Sequence, residues 1–89
     1  MYKITFLASA EKELEALPND EISRIIKKIE GLSINPKPPG VKKLNAKIDL
    51  WRIRSGNYRI IYSILKNELI IEIIRIRHRK EVYRKKVVI

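Results

Sequence analysis

The sequence predicts an α+β fold, and three observations carry that prediction. Apolar and polar residues alternate at period two near the N-terminus and again through the second half, as half-buried strands require. Between these regions lies an apolar stripe at helical spacing. A Gly-Asn pair then separates two runs rich in β-branched and aromatic residues. The expected order is an N-terminal strand, a two-helix hairpin and a three-stranded antiparallel meander, followed by a short basic C-terminal tail. The strands make a four-stranded, mostly antiparallel sheet. With 89 residues the chain reads as a single domain, 1–89, large enough to bury one core.

The first strand is Tyr2-Lys3-Ile4-Thr5-Phe6, which alternates cleanly. Ser9 stands where an N-cap is needed for a helix from Ala10 to Leu17, and Glu11 falls in its first turn, where the helix dipole favours an acid. Pro18 ends that helix. Asn19 is the expected cap of the next, and Ile22, Ile25, Ile26, Ile29 and Leu32 form its single apolar stripe. The run NPKPPG from Asn35 to Gly40 excludes helix and central strand. A loop is expected to continue from there through Lys47, with Lys37, Lys42, Lys43 and Lys47 along it. Those lysines read as a solubilising surface, with a secondary role in holding a polyanion as the other reading.

Trp51-Arg52-Ile53-Arg54 and Tyr58-Arg59-Ile60-Ile61-Tyr62-Ser63-Ile64-Leu65 are the central strands. Gly56-Asn57 joins them as a two-residue turn whose first position demands a positive φ. That turn sets a register in which Ser55 faces Tyr58, Arg54 faces Arg59, Ile53 faces Ile60 and Arg52 faces Ile61. Opposed residues share a face of a sheet, as do residues two apart on one strand. Arg52, Arg54 and Arg59 therefore project from one side, while Trp51, Ile53, Ile60, Tyr62 and Ile64 take the core side. Like charges set opposite one another destabilise a strand pair, so the arginine side reads either as an anion-binding surface or as a solvated outer face.

A turn around Lys66-Asn67-Glu68 leads to the last strand, Leu69 to Arg77. Its parity is open. A two-residue turn aligns Arg59 with Ile74 and Ile76, and a three-residue turn aligns it with Arg75 and Arg77. The basic run from His78 to Lys86 follows as helix or irregular tail, and Val87-Val88-Ile89 is an apolar end that calls for cover.

Charge is unevenly divided. The net charge is +10, and most of it lies beyond Trp51, where arginine dominates. The planar guanidinium fork suits phosphate better than an ammonium does, so the basic half points to a polyanion: nucleic acid or an acidic protein. With no cysteine there is no disulfide, and the single histidine has no partner at metal-ligand spacing, so neither a metal nor a cofactor is expected. The three glycines make no phosphate loop. Acid pairs such as Glu11 and Glu15 read as surface charge. No segment is long and apolar enough to be a signal peptide or to span a bilayer, which gives a cytoplasmic expectation with no membrane contact.

What remains is a basic constellation of Arg52, Arg54, Arg59, Arg77, His78, Arg79, Lys80 and Tyr83. WRIR, then NYRIIY after a short turn, then HRKEVY some twenty residues on, together with the upstream NPKPPGVKKL and DLWRIR, resemble the RelE branch of the RelE/ParE toxin superfamily. The resemblance covers nearly the whole chain. It implies a RelE-like fold and a toxin of a type II toxin–antitoxin system: a metal-independent, ribosome-dependent endoribonuclease that cleaves mRNA in the A site. It further implies a cognate acidic RelB-like antitoxin, bound as a hetero-oligomer, and contact with the ribosome, its rRNA and mRNA. The catalytic residues it implies are Arg52, Arg54, Arg59, Arg79 and Tyr83. His78 is added as a proton donor, since an arginine scarcely gives up its proton. Lys42, Lys43, Lys47, Arg77 and Lys80 are the expected RNA-binding residues. The alternative is a ParE-type toxin that shares the fold and inhibits DNA gyrase by binding, without enzymatic activity.

Overall fold

The computed structural model describes residues 1–45 and 47–79. Among these residues there are five strands and two helices: β1 (Lys3–Phe6), α1 (Ala8–Glu15), α2 (Asn19–Ile34), β2 (Lys42–Asn45), β3 (Leu50–Ser55), β4 (Tyr58–Leu65) and β5 (Ile70–His78), with a 3₁₀ turn, Lys66–Glu68, between β4 and β5. They form one mixed sheet in the order β1-β5-β4-β3-β2. β1 runs parallel to β5, and every other pair is antiparallel.

The expected four-stranded sheet is therefore one strand short. The addition is β2, inside the lysine-bearing stretch expected to be loop. All four of its residues are exposed, so it shows no alternation between core and solvent by which a strand is recognised. It is an edge strand, and the lysines along it discourage further pairing with other chains.

The helix boundaries also differ. α1 starts at Ala8 rather than Ala10 and ends at Glu15, with Leu7 rather than Ser9 as its cap. Leu7 is held extended because its amide still donates to the Ile73 carbonyl at 2.9 Å, so the chain turns from strand into helix with no spacer. Ser9 consequently falls within the first turn, where its hydroxyl donates to the Ile74 carbonyl at 3.4 Å. Asn19 is likewise the first helical residue, capped by extended Pro18 without any side-chain bond.

The helices cover one face of the sheet. Ile25, Ile29 and Leu32 of α2, with Ala10 and Leu14 of α1, pack on Ile53, Ile60, Tyr62, Ile64, Ile71, Ile73 and Ile76, while Ile22, Ile26 and Trp51 lie against the same cluster. Tyr62 is fully buried, and its hydroxyl donates to the Pro36 carbonyl at 2.6 Å, which ties the proline loop to the core. Burial pushes the Tyr62 phenol well above the ordinary tyrosine range.

The β3–β4 register matches the expectation at every pair, and Gly56 takes a φ of +59° at the turn. The β4–β5 pairing follows both predicted parities in succession. Leu65 faces Ile70 and Tyr62 faces Ile73, but a bulge past Tyr62 shifts the register, and beyond it Ile61 faces Arg75 and Arg59 faces Arg77. A bulge places an extra residue on one strand and so exchanges its two faces. The extra residue lets β5 put Ile71 and Ile73 into the core, then Ile76, while Arg75 and Arg77 turn to the other side.

No helix among the described residues is long and apolar enough to cross a membrane. The run from Lys80 to Ile89, including the apolar end Val87-Val88-Ile89, lies outside the described residues.

Candidate functional site

The face of the sheet away from the helices carries two rows of basic side chains. Arg52, Ile61 and Arg75 are opposed across β3, β4 and β5 in one row, and Arg54, Arg59 and Arg77 in the next. Lys42 of β2 extends the first row by facing Arg52. Opposed side chains in a sheet stand only about 5 Å apart at Cβ, so Arg52 and Arg75 flank Ile61 directly, with Arg54, Arg59 and Arg77 in the adjoining row. The edges of this array are open and its centre is not: Arg54 is exposed and Arg52 half-buried, whereas Ile61 is 7% and Arg59 9% exposed. A guanidinium held this far from water keeps its charge and interacts strongly with an anion that reaches it.

One carboxylate from the helical layer meets this array. Glu13 of α1 places Oε2 3.0 Å from Arg77 Nε and 3.1 Å from an outer nitrogen of Arg75. Glu72 shares the face one row away, opposite Ser63. Among the described residues no group of three His, Cys, Asp or Glu side chains is gathered as a metal site would require.

The predicted residues divide clearly. Arg52, Arg54, Arg59, Arg77 and Lys42 come together on the arginine face. Arg79 follows β5 directly and is exposed; its amide donates to the Asn57 carbonyl at 2.8 Å, which sets it beside the hairpin turn, at the Arg54–Arg59 end of the face. His78 does not join them. It opposes Tyr58, whose ring packs against the core, and the two rings meet edge-on with centroids 5.2 Å apart. His78 therefore stands on the helix side of the sheet, because one residue of strand reverses the direction of a side chain. Lys43 also departs from the expected set. It faces Trp51, lies 5.3 Å from that ring and 3.6 Å from Asp49, and Lys37 stacks on the same indole at 4.8 Å. Lys47 sits exposed in the turn before β3. Lys80 and Tyr83 lie outside the described residues.

Two residues were missed. Arg75 was hidden by the undecided parity of the last strand. Glu13 carries no local signal, since nothing nearby in the sequence reports a partner 62 positions away.

Comparison with known proteins decides the family. Residues 4–83 match the family model described as the ParE toxin of the type II toxin–antitoxin system, parDE. The chain belongs to this toxin family. Its relatives place the toxin in the RelE branch of the superfamily. It is 32% identical over 76 residues to the toxin candidate RelE1 of Methanocaldococcus jannaschii, covering 82% of this chain and 84% of that one. It is 27% identical over 85 residues to toxin RelG of Mycobacterium tuberculosis, covering 94% of this chain and 98% of the relative. Among solved structures, the archaeal RelE–RelB complex from Pyrococcus horikoshii contains a chain that superposes with a TM-score of 0.79 at 30% identity, covering 88% of this chain and 94% of that one.

Proposed function

We propose that this toxin is a ribosome-dependent endoribonuclease that cuts mRNA in the A site, using the arginine face to hold the scissile phosphate. The observation that carries the reading is the setting of Arg59, shielded from water with Arg54 and Arg77 opposed to it on either side.

The chemistry follows from what such a face provides. Attack of the substrate's own 2′-hydroxyl on the adjacent phosphorus forms a 2′,3′-cyclic phosphate and expels the 5′-oxygen of the next nucleotide. The step needs a base on the 2′-oxygen, an acid on the leaving oxygen and positive charge on the equatorial phosphate oxygens. Arg59 supplies that charge as a bidentate fork, supported by Arg52 and Arg54. Arg79, near the hairpin turn, stabilises charge on the leaving side, where the expelled 5′-oxygen takes its proton from solvent water. The family resemblance implies Tyr83 at the site, and it is assigned here as the base; a phenol with its ordinary pKa of about 10 serves only where neighbouring cations lower it. No step needs a metal. His78, on the opposite face, is assigned none.

The same surface supports an acidic RelB-like antitoxin as partner, since an arginine array attracts acidic side chains as readily as RNA. RelE occurs with RelB in the Pyrococcus complex. A cytoplasmic site of action follows from the ribosomal target.

The test is primer extension on translated mRNA, with wild type beside Arg59→Ala. Cuts within codons, reduced about 10²–10³-fold in the variant, support the reading. Cutting undiminished by Arg59→Ala overturns the role of the arginine face. Intact mRNA with broken DNA overturns the nuclease and supports gyrase inhibition instead.

A further inference from the structure

β1 protects only half of the β5 edge. Its pairing ends with Phe6 opposite Ile73, and from there the edge of β5 is met by α1 instead. The helix meets the exposed backbone with side chains: the Ser9 hydroxyl donates to the Ile74 carbonyl, and the Ile76 amide donates to Glu13 Oε1 at 2.8 Å. Glu13 thus acts as the missing neighbour strand would, accepting a ladder hydrogen bond at the edge. Its second oxygen is simultaneously committed to Arg77 and Arg75. One carboxylate therefore holds the backbone of β5 and two of its arginines together.

The manner of the contact matters. Glu13 is ion-paired with Arg77 at Nε, the nitrogen nearest the stem, at 3.0 Å, while of the two arginines it is Arg75 that donates a hydrogen bond to it. Arg77 is in turn the cross-strand neighbour of Arg59. Without a fixed counter-charge, two opposed guanidinium groups drive each other toward other rotamers. We propose that Glu13 is a positioning residue for the arginine face: anchored by the Ile76 amide, it fixes the Arg77 side chain and so sets the shape of the cationic row in which Arg59 binds an RNA phosphate. This role rests on the nuclease reading and adds to it a residue from the helical layer that never touches the substrate.

The proposal separates charge from attachment. In Glu13→Gln the amide oxygen still accepts from Ile76, so α1 stays docked, but the negative charge that holds Arg77 is gone. Removing an acid from a polyanion-binding face also favours RNA binding. The expected result on programmed ribosomes is a kcat lowered by about 10-fold or more, within the roughly 10²-fold that a 1 Å misplacement can cost. KM is unchanged or lower. A purely electrostatic restraint also lowers KM but leaves kcat unchanged or raised, and that result overturns the proposal. So does a purely structural role, in which kcat and Tm fall together in Glu13→Gln. A double-mutant cycle provides a readout independent of folding: Arg77→Ala should lower kcat by itself, and adding Glu13→Gln should lower it by no more than about twofold further, because the residue it positions is already absent. Fully additive losses overturn the proposal. The wild-type lane keeps the two hypotheses apart. If wild type leaves mRNA intact, the nuclease reading falls and this role falls with it; if wild type cuts and Glu13→Gln cuts equally fast, only the role of Glu13 falls.

Discussion

The two faces of the β3–β4–β5 sheet are made by the same strands, often by adjacent residues, and they obey opposite rules. On the helix side Ile53, Ile60, Tyr62, Ile64, Ile71, Ile73 and Ile76 are buried against α1 and α2. On the other side Arg52, Arg54, Arg59, Arg75 and Arg77 are opposed in rows that repel one another. The apolar face supplies the free energy that holds the array in place, at roughly 25 cal/mol per Å² of apolar surface removed from water. The arginine face detracts from it. Stability and function are thus interleaved at a period of two residues, and a single step along a strand crosses from one to the other.

Neighbouring substitutions offer the sharpest way to break this comparison. Ile60→Ala should cost about 2–5 kcal/mol, a large part of the stability of a chain this size, and be read as a fall in the urea midpoint. Arg59→Ala, one residue earlier, should leave that midpoint within about 1 kcal/mol of wild type while removing most of the cleavage. If Arg59→Ala destabilises as severely as Ile60→Ala, the division of labour between the faces is wrong.

A smaller effect is expected at Tyr62, the one core side chain here with a hydroxyl bonded to the proline loop. Tyr62→Phe loses the bond to the Pro36 carbonyl and should cost about 0.5–1.5 kcal/mol. The same residue sets an alkaline limit. Because its pKa is raised on folding above the ordinary 10.0, the folded state holds the proton more firmly than the unfolded chain. Stability from this group is fully present below about pH 10 and declines as pH rises further. Melting curves across the alkaline range should show a shallower decline for Tyr62→Phe than for wild type; identical slopes would show that Tyr62 does not set that limit.

The smallest effect is expected at Leu69, which follows the 3₁₀ turn with a φ of +56° and an exposed side chain. A left-handed leucine is strained by roughly 1–2 kcal/mol. Leu69→Gly should raise Tm slightly, because the relief of strain outweighs the added freedom of the unfolded chain by a few tenths of a kcal/mol. A fall in Tm would mean that the leucine side chain contributes more than its backbone costs.

How much of this was legible varies with the range of the interaction. The β3–β4 hairpin was readable to the residue, because a turn of two residues with glycine first leaves one register and alternation leaves one inward face. The α2 stripe was readable for the same local reason, and its members Ile25, Ile29 and Leu32 are buried. β2 was not, because its residues are exposed on both faces and it is a strand only by virtue of pairing with β3. The parity of β5 was undecidable from any single turn length, since the bulge makes two parities true in one strand. The site was legible as far as the hairpin reached. Arg52, Arg54 and Arg59 followed from the register, whereas the separation of His78 and the capture of Arg77 by Glu13 depend on contacts between elements distant in sequence.

The parallel pairing of β1 with β5 has a consequence for the order of assembly. Lys3 to Phe6 find their partners only at Ile70 to Ile73, so the sheet cannot close until nearly all of the described chain has been synthesised. Pairings this distant in sequence make folding slow relative to local hairpins. The arginine rows need β5 as well, so a nascent chain still short of its last strand carries Arg52, Arg54 and Arg59 without the array. A partner that captures the chain early would therefore meet those arginines before they are set in rows.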